Sequence, residues 1–352
     1  MPSPLKNQLL EIQQGEPIGL EALGYLENAL GEWLGQATQT LIHQWGGDPS
    51  HITAIGSHGQ TVGHFPHQQI TWQLGNPALI AALTKCPVVS HFRHGDLALK
   101  GQGAPLVPWA EALLWSDPHQ PQLLLNIGGI ANVTYLPSQQ EYPIPVCQWP
   151  VLAMDTGPGN VWIDAACQQY LNKPLDEEGR HAALGQLYEP FLQDLFQEAA
   201  IEVFLSAPFP KSTGRDLFTQ QRLVKLIQPY LTTLSPESII ATLTHFTAQT
   251  ITLGLQRLLE KNAPSAPISC WVSGGGAFNN TLIQLLQKAL NESSIPVCIN
   301  TDLPFLSHPQ HKEPLIFALL AWARWHHLAA NMPHATGASQ ATPLGAVWLP
   351  PA

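Results

Sequence analysis

Charge is scarce in this chain. Asp, Glu, Lys and Arg make up 11% of its 352 residues, under half the ~25% of an ordinary globular protein. The balance is acidic, with 15 basic against 25 acidic side chains and a formal net charge of −10. No basic field exists to neutralise phosphates along a polymer, which excludes a general nucleic-acid binder. Long apolar runs are missing too. No stretch of ~18 residues is free of polar interruption, so no membrane span is expected. The opening MPSPLKNQLLEIQQGEP contains no apolar core of a signal peptide. The five cysteines (Cys86, Cys147, Cys167, Cys270, Cys298) are scattered, odd in number and without C-x-x-C spacing. That pattern argues against a disulfide scaffold or a thiolate zinc site and fits a reducing, cytoplasmic compartment. Histidine is plentiful at 15, yet the tightest pairs, His64/His67 and His91/His94, lack a carboxylate at helical spacing. They read as solvated or hydrogen-bonding groups, and no protein metal site is expected.

What is present is core-forming material. Apolar residues make up 45% and mean hydropathy is +0.00, which does not favour an expanded chain. At ~150 residues per domain the length suggests two domains. Leu23, Leu26, Leu30, Leu34, Ala37 and Leu41 recur at helical steps, predicting a helix over 20–45 that Gly46-Gly47 stops. A strand is expected over 52–55, a polar turn over 56–61 and a returning strand over 69–74. A helix follows over 77–85 with Asn76 as N-cap and Pro77 at its first position. Further strands are expected at 88–90, 123–127, 151–154, 268–272 and 297–299, with 146–147 as a short one. Helices are expected at 107–115, 161–170, 238–261, 281–290 and 314–329. Residues 137–150, with four prolines, read as an excursion or domain connection. Strands alternating with helices and ending in glycine-rich turns are the α/β pattern, whose sites lie at strand C-termini.

Several turns could carry chemistry. In Asp155-Thr156-Gly157-Pro158-Gly159-Asn160, a carboxylate at a strand end precedes glycines that let backbone N–H groups face an anion. The Asp suits a general base; the alternative is a cap that opens the next helix. Ser273-Gly274-Gly275-Gly276-Ala277-Phe278-Asn279 could admit a base or ribose against bare backbone, or be a tight β–α turn. Neither a Walker lysine motif nor a G-x-G-x-x-G fingerprint occurs. In Arg93–Leu106, Arg93 can grip a carboxylate or phosphate by a bidentate fork, and Asp96 and Gln102 suit sugar hydroxyls. A loop locked by an Arg–Asp pair is the alternative. Lys211-Ser212-Thr213-Gly214-Arg215-Asp216 allows the same two readings. Ser57-His58-Gly59-Gln60-Thr61 lacks the elbow of a serine hydrolase and suits sugar binding or turn ordering. NIGGIAN, Asn126–Asn132, rhymes with the Asp155 turn in placing small residues where backbone must approach something closely.

In order, SHGQT, QLGNP, FR-x-x-D with GQGAPL, LNIGGIANVT, MDTGPGN, PFPKSTGR, SGGGAFN, Lys312-Glu313 and Thr336-Gly337-Ala338-Ser339 resemble the anhydro-N-acetylmuramic acid kinase family along nearly the whole chain. The resemblance implies an actin-like (ASKHA, ribonuclease H-like) α/β fold. Its two domains would be 1–145 and 146–352, with a central cleft that takes ATP and Mg2+. It implies an ATP-dependent kinase of peptidoglycan recycling that opens the 1,6-anhydro ring of 1,6-anhydro-N-acetylmuramic acid with water and phosphorylates O6. Asp155 matches the family's catalytic base. Thr156, Gly157, Gly159 and Asn160 would form a second phosphate loop, and Gly274, Gly275, Gly276 and Asn279 the adenosine side. His58, Gln60, Arg93, Asp96, Asn126 and Glu313 would contact the amino sugar. A homodimer is the family's tendency.

One departure stands out. The family opens on a segment like M-S-G-T-S-x-D-G, its first phosphate loop, and none occurs here. The expectation is an N-terminal domain without its leading strands, and either a kinase whose given start is truncated, with activity residing in a longer chain, or a catalytically impaired or non-catalytic amino-sugar-binding paralogue. Lys100 stands where the family usually has Gly, and Pro314 where it usually has Ala.

Overall fold

A computed structural model describes the chain apart from residues 14–15, 142–144, 209–210, 212, 214–216, 261–265, 305, 307, 309–310 and 352. The expectations on Ser212 and on Gly214, Arg215 and Asp216 therefore fall outside the described residues. Ten strands occur among the described residues: β1 (Ile55–Gly56), β2 (Gln60–Phe65), β3 (Ile70–Leu74), β4 (Val88–Ser90), β5 (Gln122–Ile127), β6 (Ile130–Leu136), β7 (Leu152–Pro158), β8 (Ile268–Ser273), β9 (Val297–Asn300) and β10 (Ala346–Trp348). The fold is mixed α/β and groups into two compact units. One comprises residues 1–114, 144–150 and 313–352; the other comprises 115–143 and 151–312. The expected boundary at 145/146 differs from this grouping. β5 and β6 pair with strands of the second unit, and the C-terminal segment returns to the first, because backbone pairing joins segments that sequence order keeps apart.

The first unit opens with α1 (Ser3–Gln13) and α2 (Leu20–Trp45), followed by α3 (Pro77–Thr84). The helix predicted over 20–45 is α2, and Gly46 ends it in the left-handed conformation at φ 71°. Leu26 and Leu30 from its inner face join Leu5, Leu9 and Leu74 in one cluster. Glycine in α2 permits close packing, since a Cβ on Gly31 would lie 2.8 Å from the backbone of Asn76. Asn76 caps α3 as expected, its side chain accepting from Ala78 N and Leu79 N. The small sheet runs β1-β4-β10, with β1 parallel and β10 antiparallel to β4. β2 and β3 form a separate antiparallel hairpin. The strand expected over 52–55 shortens to Ile55–Gly56, after a 3-10 turn capped by Asp48.

Residues 92–98, expected as a loop, form α4 (Phe92–Ala98), and α5 (Pro108–Trp115) follows. Residues 146–148 make a 3-10 turn in place of the short strand. Beyond these lie α6 (Val161–Leu171), α7 (Arg180–Leu184), α8 (Glu189–Gln197), α9 (Ala199–Ser206), α10 (Gln220–Ile227), α11 (Pro236–Glu260), α12 (Asn280–Glu292), α13 (Lys312–Trp325) and α14 (Pro333–Thr336). Pro314 sits in the first turn of α13, where its missing N–H leaves no helical bond unmade. Among the described residues no helix is long and apolar enough to cross a membrane.

The second unit is built on a five-stranded sheet of order β7-β6-β5-β8-β9. β5, β6 and β7 form an antiparallel meander, while β8 and β9 are parallel to β5. Three antiparallel strands followed by two parallel ones is the order expected of the ribonuclease H-like half of an actin-like protein. Leu123, Leu125 and Ile127 of β5 are each 0% exposed and share a cluster with α11 and α12 side chains. β6 supplies a strand between β5 and β7 that the sequence pattern did not reveal. A helix-rich layer from α6 to α11 holds a second core around Trp162, Phe191, Phe218 and Phe246.

Leu125 lies between Val133 and Val272 at the sheet centre. Leu125→Ala should lower unfolding free energy by about 2–5 kcal/mol, read as a fall in the denaturant midpoint of the full chain.

Candidate active site

Asp155 lies inside β7, not in a turn after it. β7 continues through Pro158 because Ile130 and Ala131 of β6 pair with Pro158 and Gly157. The register shifts there, since Asn132 faces Asp155 while Ala131 faces Gly157. Thr156 is thus the extra residue of a β-bulge, a device that re-aims a neighbouring side chain. Gly157 makes it possible at φ 153°, where an added Cβ would lie 2.8 Å from Thr250 of α11. β7 borders the sheet, so Pro158 costs no ladder bond on its outer side. α11 presses close to the bulge. A Cβ on its Gly254 would meet Thr156 at 2.6 Å, and Thr247 Oγ1 donates to Gly159 O at 3.1 Å.

The Asp155 carboxylate is set by its surroundings. Thr213 N donates to Oδ2 at 2.7 Å. Burial raises its pKa to about 6, against the smaller opposing effects of the Thr213 N–H and the Lys211 ammonium. A carboxylate poised there is ionised at neutral pH yet far more basic than an exposed Asp, which suits proton abstraction.

The two glycine turns that rhyme in sequence are bonded to each other. Gly159 N and Val161 N donate to Gly129 O at 2.8 and 3.2 Å, and Asn160 N donates to Gly128 O at 2.8 Å. Asn160 Nδ2 reaches Ile127 O at 3.3 Å. This corrects the expectation for the phosphate loop. The N–H groups of Gly159 and Asn160 are engaged within the protein, and Thr156 is 1% exposed with its hydroxyl on Ala131 O. In a planar trans peptide the N–H points opposite to the preceding C=O. With the carbonyls of Ile127 and Gly128 both drawn toward Asn160, the N–H groups of Gly128 and Gly129 point the other way. Neither has a hydrogen-bond partner among the described residues. Unpartnered amides of this kind are donors left for an outside acceptor. In sequence NIGGIAN shows only the need for small residues; the role of its amides emerges from the pairing.

Gly274, at φ 83°, abuts the same hairpin, where a Cβ would lie 2.6 Å from Ile127 O and 2.8 Å from Asn126 Oδ1. Gly276 packs as tightly on the Ile127 side chain, whereas Gly275 has only Asn160 Nδ2 near, at 3.4 Å. Asn279 is occupied structurally, its Oδ1 accepting from Leu282 N at 2.9 Å as the N-cap of α12. Asn126 belongs to this unit, beside Gly274. It is separated by unit from the other residues expected to contact the sugar.

Those others gather in the first unit. His58, Gln60, Arg93 and Glu313 line one pocket of ≈ 630 Å³, with Ser57, Leu34 and Phe317 among its other walls. His58 stacks on Phe317, ring centroids 4.4 Å apart. Arg93 Nη1 donates to Gly103 O at 2.7 Å, and Nη2 lies 3.1 Å from His58 Nε2. Arginine only donates, so Nε2 is the acceptor and the proton of His58 sits on Nδ1; this tautomer is assigned from the partner. Burial, then the nearby Arg93 charge, lowers the His58 pKa to about 3, so the ring is neutral. His58 Nδ1 and Arg93 Nε are both buried donors without an acceptor among the described residues. Both atoms are closed off from solvent, so these are unmet donors inside the pocket wall.

Asp96 is placed differently. It is 0% exposed and accepts from Gly103 N at 2.8 Å, Asn331 Nδ2 at 2.8 Å and Thr336 Oγ1 at 2.7 Å. It ties the glycine loop to the C-terminal segment and has no face for a sugar. Two backbone bonds, Gln102 N to Thr336 O and Ser339 N to Leu99 O, close the same junction. Within this loop Lys100 adopts φ 64°, the left-handed region that glycine enters freely, which accounts for the glycine expected there. Among the described residues no group of three His, Cys, Asp or Glu side chains is placed to hold a metal.

The unit thus holds a carboxylate of raised basicity and, apart from it, two backbone amides without a partner among the described residues. A family model described as anhydro-N-acetylmuramic acid kinase matches residues 1–350. An anhydro-N-acetylmuramic acid kinase of Vibrio vulnificus (strain YJ016) is 37% identical over 350 residues, 99% of this chain and 88% of the relative. One of Bacillus cereus is 36% identical over 349 residues, 97% of this chain and 87% of the relative. A ROK family glucokinase from Streptomyces griseus, solved with glucose and AMPPNP, is a remote likeness at 13% identity and TM-score 0.35, covering 82% of this chain and 87% of its own. The chain is a kinase. It belongs to the anhydro-N-acetylmuramic acid kinase family. The alternative of an impaired sugar-binding paralogue gains no support from relatives that carry the kinase's name.

Asp96→Ala removes three acceptor contacts from buried donors and should cost at least about 3 kcal/mol of stability. Asp96→Asn should destabilise as well, since its NH2 would confront a donor. Thermal unfolding of the two variants beside the parent chain checks both.

Proposed function

We propose that the protein converts 1,6-anhydro-N-acetylmuramic acid, water and ATP into N-acetylmuramic acid 6-phosphate and ADP, as a step of peptidoglycan recycling in the cytoplasm. The observation that carries this reading is the Asp155 carboxylate, half-buried, basic and fixed by Thr213 N, on the strand whose following turn backs the Gly128–Gly129 amides. Asp155 takes a proton from the water whose oxygen bonds to the anomeric carbon. The bond from that carbon to the bridging oxygen breaks, and the released O6 receives the γ-phosphoryl group, ADP leaving. A carboxylate suffices as base because the leaving oxygen is captured by phosphorus as it departs.

The free N–H groups of Gly128 and Gly129 would hold the nucleotide phosphates, and the bare backbone at Gly275 would admit the adenosine. Magnesium bound with ATP supplies charge neutralisation at the phosphates. With no three-ligand protein cluster among the described residues, it would be held chiefly by phosphate oxygens, as is usual for this ion. In the first unit, the Arg93 guanidinium, with His58 beside it, suits the carboxylate of the lactyl ether, and Gln60 and Glu313 suit hydroxyl or amide groups.

Asp155→Asn should lower kcat by about 10²–10⁴-fold in an assay coupling ADP release to the anhydro sugar. In the parent chain kcat should fall as pH drops through about 6, since protonation removes the base. Near-normal turnover by the Asn variant would take Asp155 out of this role. Arg93→Ala should raise the KM for the anhydro sugar by about 10–100-fold, the loss of one charge-assisted contact. The KM for ATP should stay within about twofold, and an equal rise in both would remove Arg93 from the sugar site.

A further inference from the structure

The segment along the outer edge of β7 meets Asp155 twice. Asp155 N, on that edge, donates to Lys211 O at 3.0 Å, and two residues on Thr213 N donates to the Asp155 carboxylate. The segment therefore grips Asp155 by backbone and side chain at once. It is anchored through Lys211 itself. Lys211 Nζ donates to Phe204 O and Leu205 O, each at 3.1 Å, and lies 4.5 Å from the Phe204 ring centroid. These are terminal carbonyls of α9, where a cation satisfies orphan acceptors and meets the negative end of the helix dipole.

We propose that Lys211 is a positioning residue for the reaction. By bonding the end of α9 it fixes the strand-edge segment that aims the Asp155 carboxylate, and its ammonium holds that carboxylate in its ionised form. The proposal rests on the reading of Asp155 as general base. Among the described residues, Lys211 is the charged group acting on Asp155. β6 contributes the uncharged Asn132 opposite it. α11 brings Arg257 to Leu205 O, where its charge bears on Lys211. Burial, reinforced by Arg257, lowers the Lys211 pKa to about 8, so the ammonium is retained where Asp155 becomes ionised.

The test uses the full chain with Lys211→Met, Lys211→Gln and Lys211→Arg. Two readouts are followed against pH: kcat with ATP and the anhydro sugar, and the 13C NMR titration of the Asp155 carboxyl, identified as the signal lost in Asp155→Asn. In Lys211→Met and Lys211→Gln the acidic limb and the carboxyl midpoint should both move up by about one pH unit. That corresponds to a loss of about fivefold at pH 6 from protonation, with little at pH 8. Lys211→Arg should restore both. Gln keeps an N–H donor for the α9 carbonyls and carries the test if the Met variant does not fold. A uniform loss across pH with limb and midpoint unmoved would mean Lys211 is only structural and would overturn the proposal. A midpoint that moves while the limb stays would instead overturn Asp155 as the base.

Discussion

Much of the second unit hangs on a small set of hydrogen bonds between two glycine turns. Gly159, Asn160 and Val161 donate to the carbonyls of Gly128 and Gly129. Because a peptide plane is rigid, holding the carbonyls on one side presents the amides on the other. One set of bonds thus joins the hairpin of β5 and β6 to the start of α6 and orients the donors available to an anion. The glycines follow from this. A Cβ on Gly159 would lie 2.3 Å from Gly128 O, and one on Gly274 2.6 Å from Ile127 O. The turns must approach within hydrogen-bond distance, and only bare backbone allows it.

The Asp155 carboxylate is governed by a related constraint. A carboxylate on an edge strand would ordinarily be solvated and weakly basic. Here a bulge at Thr156 re-aims it, Lys211 and Thr213 each bond to Asp155 from the outer side of the strand, and α11 packs close at Gly254 and Thr250. Burial without a full countercharge is unfavourable for the ionised form, and that penalty moves Asp155 into the range where it can accept a proton.

The first unit solves a different problem, that of keeping a cation and a neutral imidazole in place around a pocket. Phe317 stacks against His58, and Gly103 O fixes one arm of Arg93. Asp96 then secures the loop that supplies Gly103. Asp96 reads in sequence as a sugar contact because an acid near an Arg and glycines is what carbohydrate sites contain. Its partners, Asn331 and Thr336, lie more than two hundred residues away, beyond the reach of any local pattern.

The sequence alone determined the family, the alternation of strands and helices, the extent of α2, the Asn76 cap and the singling out of Asp155, because motif order, helical periodicity and cap chemistry are local properties. Tertiary structure decided what those patterns do. Whether a glycine N–H is free or bonded, whether an Asn caps a helix or meets a ligand, and which donors are left unpartnered all depend on long-range pairing. The Asp155 turn became a bulged strand only when β6 was laid beside it. Among the described residues the amides of Gly128 and Gly129 are left without partners, whereas those of Gly159 and Asn160 find carbonyls across the fold.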